Sequence, residues 1–321
     1  MLLKPSCKVR VGSENFESSS MCIIDVRVAR SLDVPAGSCE ILFNISNKTS
    51  KIKEGDELSV QLGYREELED VFSGFINDVE NEITGIRVLG LDSASKLLAL
   101  RVNQVYEGQN AGQIVSDLAR KAGIIVEEAA DGIRFPQYTV DDSKNAYEHM
   151  KDLANKCGFN LYMNVKNQIV FKRYERKELH VLEYGKNIVQ IEANKHEPSF
   201  TQVFVRGESP ASFRGADKAH WLTKRLVEGS AGSGGNRLLL VDPAAKDRDM
   251  ADKIAEARLN ELMKTLSGNV KIIGNTAIDL CDTIEIRGLK QTHINGEYQV
   301  QSVEHVLNRR EGFITIVGFK R

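Results

Sequence analysis

Three runs of carboxylates are the residues of this sequence whose type and spacing could perform acid–base chemistry. They are Glu66-Glu67 with Glu69-Asp70, then Glu127-Glu128, and then Asp141-Asp142. A glycosidase needs two carboxyl groups that face each other across a substrate cleft. One hypothesis is therefore a hydrolase that degrades cell walls with two of these carboxylates. The alternative, which we favour, is that all three runs are solvated loops or hairpin tips.

Serine, histidine and cysteine provide no second site in the sequence. Ser13, Ser18 to Ser20 and Ser267 have no G-x-S-x-G context. The six histidines stand singly without H-x-x-x-H spacing, and the five cysteines include no C-x-x-C pair. We therefore expect a protein that is not an enzyme, with no metal, no cofactor and free thiols in a reducing compartment.

The composition is that of a globular protein with nearly balanced charge. Of 321 residues, 41% are apolar and 27% are charged, and 43 Lys and Arg stand against 45 Asp and Glu, a formal net charge of −2. This balance argues against specific recognition of nucleic acid or of an anionic membrane. No apolar stretch has the length of a membrane-spanning helix, and the first residues lack the apolar core of a signal peptide. We expect a soluble chain of two or three domains, made in the cytoplasm and not inserted in a membrane.

The secondary structure that would position any functional site is β structure in the first part of the chain. Short apolar or alternating segments separated by Gly, Pro, Asn or Asp predict an antiparallel barrel or sandwich over residues 1–102. One segment alternates strictly, which predicts a strand with two faces of opposite polarity. Its polar set is Glu57, Ser59 and Gln61, and its apolar set is Leu58, Val60 and Leu62.

Helical spacing replaces the strand pattern over residues 103–177. Apolar residues between Asn110 and Ala122 share one helical face, and Gly123 stands where a left-handed cap belongs. A similar helix, glycine and strand return from Asn145 to Gly158, with the triplet Asp-Leu-Ala at the matching positions. We interpret this as a duplicated helix–strand unit of an α/β domain. Chance similarity is the alternative, because helix, glycine and strand often follow one another.

Residues 178–321 return to β structure around one helix near 247–266, which Asp247 or Asp249 can cap. We assign this whole segment to a second β domain.

An internal similarity links the two β segments. Residues 54–60 are echoed by residues 280–286, and residues 72–80 by residues 295–304. In both copies an acidic turn opens a strand and a Gly-led strand returns about twenty residues later. The similarity predicts one tube-like β-barrel module that is present twice and flanks the α/β middle. The fold class that we expect is α+β, mainly β.

The repeated positions also carry a resemblance to a known family. The motif residues are Gly55, Asp56, Phe72, Gly74, Asp282, Asn295, Gly296, Tyr298, His305 and Gly312. With the middle segment 143–162, they make the chain resemble the phage late control gene D proteins. These are baseplate hub proteins of contractile tails, related to the N-terminal part of the VgrG spike proteins of type VI secretion. One departure is Cys281, which stands where that family usually has Gly.

This resemblance implies a homotrimer in which three chains supply a ring of six barrels. Such a ring would adapt a hexameric tail tube to a trimeric spike. The implied partners are further copies of this chain, a separate trimeric spike protein, the tail tube protein and other baseplate proteins. The implied location is the baseplate of a phage tail or injection system. The chain ends after the second barrel, so we expect the spike to be a separate polypeptide. The resemblance does not distinguish whether the assembly is a phage, a tailocin, an extracellular injection system or a type VI secretion system.

One charged hairpin is a candidate for contact with the tube. It carries one cation against four acids between two predicted strands: Arg65, Glu66, Glu67, Glu69 and Asp70. Charges of this kind set partner choice and association rate, and a solvated turn without a partner is the alternative. We also expect the two β modules to dock edge to edge by strand pairing, within and between subunits, because this covers open strand edges.

Overall fold

A computed structural model describes residues 4–18, 22–176, 178–207 and 227–321. Ser19 and Ser20, considered above as nucleophiles, lie outside these residues. The helices within the described ranges are each too short or too polar to span a membrane.

The first β module contains seven strands in one sheet, closed by a short helix. The strands are β1 (Pro5–Val11), β2 (Glu14–Glu17), β3 (Ile23–Ser31), β4 (Ser38–Phe43), β5 (Glu57–Tyr64), β6 (Glu67–Asn81) and β7 (Ile86–Leu91), and helix α1 (Ala94–Ala99) follows. Neighbouring strands pair antiparallel in the order β2-β1-β5-β6-β7-β4-β3. The predicted alternation of β5 is confirmed, since Leu58, Val60 and Leu62 are buried whereas Glu57 is exposed and Ser59 and Gln61 are half-buried.

The second β module uses six strands that come from two separate parts of the chain. They are β13 (Leu179–Glu183), β14 (Ile188–Lys195), β18 (Leu266–Ile273), β19 (Thr283–Arg287), β20 (Gly296–Asn308) and β21 (Gly312–Lys320). Their order is β13-β19-β20-β21-β18-β14, and β13 pairs parallel with β19. Apolar residues of these strands form a core of their own, distinct from the core of the first module.

The two modules share strand order as well as sequence. Strands β3, β4, β5, β6 and β7 correspond in chain order and in pairing to β14, β18, β19, β20 and β21. Even the irregularities recur. The β6–β7 register shifts between Ile76 and Asp78, and the β20–β21 register shifts between Val300 and Ser302. The duplication predicted from sequence is therefore present in the backbone, since bulges mark specific positions of a fold.

Equivalent residues can be assigned across the repeat from these registers. One row of paired residues crosses β6, β7, β4 and β3, and its counterpart crosses β20, β21, β18 and β14. The first row is Val79, Val88, Ile41 and Val26, and the second is Val303, Val317, Val270 and Ile191. Each member is a β-branched residue, which suits a pleated sheet that is buried on one face.

The α/β middle contains the predicted helix–strand duplication. Its elements are β8 (Gln104–Asn110), α2 (Ala111–Lys121), β9 (Val126–Ala129), β10 (Arg134–Val140), α3 (Ala146–Cys157), β11 (Asn160–Met163) and β12 (Ile169–Lys172). Both helices begin at an asparagine capping box, at Asn110 and Asn145. Gly123 and Gly158 follow them in the left-handed conformation, with φ of 69° and 65°.

The strands and helix that interrupt the second module belong to the α/β core. They are β15 (Gln202–Gly207), β16 (Val227–Gly232), β17 (Arg237–Val241) and α4 (Arg248–Leu262). The sequence pattern predicts that this stretch belongs to the second β domain. The structure instead buries Met250, Ile254 and Val203 in the cluster that contains α2 and α3. An apolar stripe shows that one face of a helix is buried, but it does not show which surface that face packs against. In this chain the stripe of α4 packs against the α/β middle.

The two β modules meet edge to edge. Strand β3 pairs antiparallel with β20 from Ser31 opposite Ser302 to Asp25 opposite Asn308, which makes one continuous sheet of the two modules. Arg27 contacts Glu304 at 3.2 Å across this ladder. The expectation of edge-to-edge docking is confirmed within the chain.

The two faces of β6 give a matched test of the module core. Phe72 is 1% exposed among the core residues, whereas Phe75 is half-buried on the other face, with the Lys96 Nζ 4.6 Å from its ring centre. Phe72→Ala should lower the free energy of unfolding by about 3–5 kcal/mol, because it leaves a large cavity. Phe75→Ala should cost about 1 kcal/mol. Urea unfolding of both variants measures this, and equal losses would contradict the assigned core face.

Candidate functional site

The first motif turn is a hydrogen-bonded bend that opens β5. The Asp56 carboxylate accepts a hydrogen bond from the Lys53 N–H at 3.0 Å. The Gly55 N–H donates to the Ile76 carbonyl at 2.8 Å, and the Ile76 N–H donates to the Asp56 carbonyl at 2.9 Å. Gly55 has a φ of +85°, a conformation that glycine adopts without steric cost. The turn therefore fixes where β5 begins relative to β6.

The second motif turn repeats this arrangement in front of β19. The Asp282 carboxylate accepts from the Asp279 N–H at 2.8 Å. The Cys281 N–H donates to the Val300 carbonyl at 3.2 Å, and the Val300 N–H donates to the Asp282 carbonyl at 2.9 Å. Cys281 has a φ of 66°, which costs a side chain other than glycine roughly 1–2 kcal/mol. The turn keeps its geometry although cysteine replaces the glycine that the family resemblance implies.

Asp282 has an additional partner that holds the edge strand of the second module. The His180 Nε2 lies 3.0 Å from the Asp282 Oδ2, and this hydrogen bond raises the pKa of His180. His180 lies on β13, so the contact fastens β13 to β19. In the first module β1 carries no histidine, and its Cys7 and Val9 pair with Leu62 and Val60 of β5.

Asn295, Gly296 and Tyr298 shape the entry into β20. The Asn295 side chain accepts from the Leu289 N–H and donates to the Leu289 carbonyl, both at 3.0 Å. Gly296 has a φ of +141°, and a Cβ there would lie 2.4 Å from an Arg321 nitrogen. The Tyr298 ring is buried against Phe319, with ring centres 4.8 Å apart. The motif thus forms a rigid loop rather than a ligand site.

His305 lies buried where β20 meets β3 and β21. Its Nδ1 is 3.0 Å from the Thr315 Oγ1. The Thr315 hydroxyl donates to the Asn275 carbonyl, so the His305 Nδ1–H donates to the Thr315 hydroxyl. Burial, with a smaller effect from the nearby Arg30, lowers the pKa of His305 to about 3.

The three remaining motif residues lie in the core or at a turn. Phe72 fills the first core, and a Cβ at Gly74 would lie 2.3 Å from the Leu91 carbonyl oxygen, so the strands approach closely there. Gly312, with a φ of +73°, begins β21 after its turn. The motif positions therefore hold the turns and cores of both modules. They do not surround one cleft.

The charged hairpin forms as predicted between β5 and β6. Arg65 stands at its tip with a φ of 58°, and Arg65, Glu66, Glu67, Glu69 and Asp70 are all exposed. The Asp70 carboxylate accepts from the Gln61 amide at 2.9 Å.

The base of the hairpin contacts the second module. The Tyr64 hydroxyl donates to the Gly274 carbonyl at 3.1 Å, and its ring lies 5.5 Å from that of Phe313. The Glu69 carboxylate accepts from the Thr276 hydroxyl at 2.6 Å. Sequence reasoning missed this contact, because about 200 residues separate the partners in the chain. Arg65, Glu66 and Glu67, in the outer part of the hairpin, are exposed and take no part in these two contacts.

The sequence also does not predict an ion pair at the module junction, in which the arginine is buried and the aspartate is half-buried. The Arg30 Nη2 lies 2.8 Å from the Asp279 Oδ1, and the Arg30 side chain is 5% exposed. Asp92 lies near it, and burial raises the pKa of Asp92 to about 6 while Arg30 acts in the opposite direction. The sequence does contain one indication that Arg30 is buried. It stands two residues after Val28 and four after Val26, so all three side chains point to the same face of β3.

The other carboxylate runs have separate local roles. Glu127 accepts a hydrogen bond from the Asn164 amide at 2.8 Å, and Glu128 forms an ion pair with Lys172. Asp141 accepts from the Ser143 N–H at 2.9 Å, and this contact and the Ser143 hydroxyl lower its pKa. The three runs lie on the β5–β6 hairpin, on β9 and after β10, and none of them lines the polar cleft between α3, α4 and β20. Among the described residues, none group as three or more His, Cys, Asp or Glu in a metal-binding arrangement.

A polar cleft of about 690 Å³ separates α3 and α4 from β20. Cations on its walls include Lys151, Lys156 and Arg258, and Glu261 is among its acids. The Lys151 Nζ donates to the Leu32 carbonyl at 2.8 Å, and burial lowers the pKa of Lys151. The cleft lies between the α/β middle and the second module. Lys151 and Lys156 on its walls already have hydrogen-bond or ion-pair partners within the chain.

Comparison with known proteins gives matches along nearly the whole chain. The family model described as the Alg8 N-terminal domain matches residues 30–207. The baseplate hub protein gp44 of Escherichia phage Mu is 24% identical over 323 residues, covering 91% of this chain and 83% of that protein.

Solved structures show the same fold. The 43 kDa tail protein of prophage MuSo2 from Shewanella oneidensis superposes with a TM-score of 0.75 at 16% identity, covering 98% of both chains. A tail protein from Neisseria meningitidis MC58 gives 0.76 at 12% identity, covering 99% of this chain and 97% of that one. A type VI secretion component of E. coli, described as similar to the T4 tail proteins gp27 and gp5, gives 0.60 at 10% identity over 98% and 76%. The α+β, mainly β fold is confirmed, and the chain is related to baseplate hub and tail proteins.

The burial of His305 predicts a pH dependence of stability. Its pKa is about 3 in the folded chain and about 6.5 when unfolded, so the unfolded state takes up a proton between these values. Stability should therefore fall as pH drops from about 6.5 toward 3. Asp92 acts in the opposite direction, since its folded pKa of about 6 exceeds the unfolded value of 3.8. From pH 6 to pH 4 the wild type should lose about 2–3 kcal/mol more than His305→Gln in urea unfolding.

His180→Gln is the matched control for this measurement. The pKa of His180 is raised, so its contribution is present at low pH and is lost as pH rises. This variant should not reduce the acid loss. Parallel pH curves for the wild type and His305→Gln would contradict the assignment of a neutral, buried His305.

Proposed function

This chain belongs to the family described as the Alg8 N-terminal domain, and we propose that it is a structural baseplate hub of a contractile tail or injection system. The observation that carries this proposal is the duplicated β module. Two copies with the same strand order and a bulge at equivalent positions are joined edge to edge in a single chain. The names of its relatives, a baseplate hub protein and tail proteins, point to the same class of assembly.

The duplication suits a change of symmetry between two parts of a tail. A chain with two equivalent modules presents six similar positions when three copies form a ring, while its α/β middle is present only three times. We therefore propose a homotrimer between a hexameric tube and a trimeric spike. The assignment to the late control gene D type, related to the N-terminal part of VgrG, is part of this proposal and rests on the motif residues of both turns.

The partners follow from this position. One face of the ring would meet the tail tube protein, and the other would meet a separate trimeric spike protein and other baseplate proteins. The chain would be made in the cytoplasm and then assembled into the baseplate. A purely structural role is supported by the carboxylate runs, which lie on separate elements and have local partners.

The stoichiometry of the hub–spike complex tests the trimer. The chain should be expressed with the spike protein of its own tail or injection system, purified as a complex and weighed by native mass spectrometry. Three copies of this chain per spike trimer are expected, because six modules match a six-fold tube. A complex that holds a stable dimer or six copies of this chain would overturn the proposed ring.

The outer part of the charged hairpin is the proposed contact with the tube. Replacing Glu66 and Glu67 with Ser should leave the hub–spike complex intact and slow tube polymerisation on it, since charge complementarity raises association rates. Light scattering of tube protein added to the complex measures this rate. Glu127→Ser with Glu128→Ser, which changes acids on β9, is the control and should polymerise normally. A normal rate for the hairpin variant would mean that the hairpin is only a solvated turn.

A further inference from the structure

The two helix–strand units of the α/β middle are related by an approximate two-fold axis, since Tyr106 of β8 lies opposite Tyr138 of β10 in an antiparallel ladder. The Tyr106 hydroxyl donates to the Asp117 carboxylate of α2 at 2.7 Å. In the same way, the Tyr138 hydroxyl donates to the Asp152 carboxylate of α3 at 2.8 Å. In both helices the lysine four positions later forms an ion pair with that aspartate. The ends of α2 and α3 can therefore be compared residue by residue.

Helix α4 covers the end of α3. A Cβ atom at Gly158, the glycine that ends α3, would lie 3.2 Å from the Cβ of Ala257 on α4. The Lys156 Nζ lies 2.6 Å from a carboxylate oxygen of Asp242, which follows β17 in the same inserted segment as α4. A glycine on one helix and an alanine on the other let the two approach closely, because the distance between packed helices depends on the side chains at the contact.

The equivalent end of α2 lacks this cover in the part of the chain that the structure describes. Around Gly123, which corresponds to Gly158, a Cβ atom would have no described neighbour within 4 Å beyond the adjacent residues. Ile125, two residues further on, is 66% exposed, whereas the corresponding Asn160 is half-buried. An isoleucine side chain therefore faces water at the position where the second unit has a partly covered asparagine.

Ile125 also lines a cleft of about 390 Å³ between the end of α2 and the first β module. Other residues that line it are Arg10, Ser59, Ser73, Phe75 and Lys166. This cleft corresponds to the polar cleft beside α3, because the bulges make Phe75 of β6 the equivalent of Gln299 of β20, and each of the two lines its own cleft. The cleft beside α3 has α4 as one wall, whereas among the described elements no helix takes that place beside α2.

We infer that the cleft beside α2 receives an α-helix of another protein of the tail, which packs on Gly123 and Ile125 as α4 packs on Gly158. The inference rests on the proposed function, because the assembly supplies the second protein. A second copy of this chain supplies no such helix from its described residues, since α1, α2, α3 and α4 each bury apolar side chains within their own chain.

The cleft specifies the chemistry of the helix that it receives. Gly123 requires Gly, Ala or Ser at the point of closest approach, which α4 provides with its alanine in the second unit. Ile125 requires an apolar side chain one turn away, at the spacing by which amphipathic helices bind grooves. On the rim, Lys166 is exposed and Arg10 pairs with Glu57 at 3.6 Å, so the lining carries more cations than acids. An acidic residue on the helix completes the contact, and such charges mainly set partner choice and association rate.

Photo-crosslinking at residue 125 tests this contact in the assembled tail or injection particle. Ile125→p-benzoylphenylalanine places a photoreactive group in the cleft, and Ile45→p-benzoylphenylalanine, at an isoleucine after β4 that is 63% exposed, is the matched control. On irradiation, the variant at residue 125 should form an adduct with a different protein. Peptide mapping should place this adduct on a helix that carries Gly, Ala or Ser within one turn of the crosslinked residue.

Isothermal titration calorimetry with the crosslinked protein provides a second readout. Ile125→Glu should weaken its affinity for the purified hub–spike complex about tenfold or more, because the change removes an apolar contact and adds a repelling charge. Ile45→Glu should leave the affinity unchanged, and both variants should keep the wild-type urea midpoint, since both side chains are exposed. Replacing the small residue of the bound helix with Leu should weaken binding to the same extent, because it holds the two helices apart.

The docking site and the hub proposal can fail separately. Adducts at residue 125 that involve only a second copy of this chain, or that form no more often than at residue 45, overturn the docking site and leave the hub stoichiometry untouched. Equal affinities of the wild type and Ile125→Glu also overturn it. A hub–spike complex without three copies of this chain overturns the proposed ring, whereas an adduct on a helix of another protein still supports the docking site.

Discussion

The antiparallel ladder between β3 and β20 is the interaction on which the rest of the structure depends. It joins strands nearly 280 residues apart and converts two small β modules into one continuous sheet. Each module alone would present open strand edges, and in the ladder the backbone groups of both edges are satisfied by each other. The α/β middle is inserted in the chain between β7 of the first module and β13 of the second. Because the ladder fixes how the two modules sit, it also limits where the α/β middle can lie.

The junction combines this backbone pairing with charges that are costly to bury. Arg30 is almost entirely enclosed and is paired with Asp279, which is about one third exposed. A buried ion pair adds little net stability, because desolvation offsets its attraction, but it strongly disfavours any register that separates the partners. Together with the neutral His305 and the Tyr64–Gly274 hydrogen bond, it makes the junction specific for one alignment of the two modules.

The two equivalent turns keep the same backbone geometry although they carry different residues at the same position. Gly55 and Cys281 adopt the same left-handed conformation and make the same backbone hydrogen bonds to β6 and β20. The neighbouring aspartates cap both turns in the same way. The strain at Cys281 is acceptable because the turn sets the offset of β19 against β20, and with it the position of the edge that receives β3.

The sequence alone determined the local structure, because local patterns are caused by local physics. The alternation of β5 predicts its buried face, Asn110 and Asn145 predict the starts of two helices, and the acidic turns predict a repeated module. The tertiary structure decided which surfaces meet. The apolar stripe of α4 is compatible with several surfaces, and only packing placed Met250 and Ile254 in the α/β core. The Arg30–Asp279 pair and the contact of Glu69 with Thr276 depend on residues more than 200 positions apart, and no periodicity in the sequence encodes such distances. The pattern of side chains specifies which face of an element is buried. Which other element covers that face is decided only when the whole chain folds and every strand edge and apolar face finds a partner.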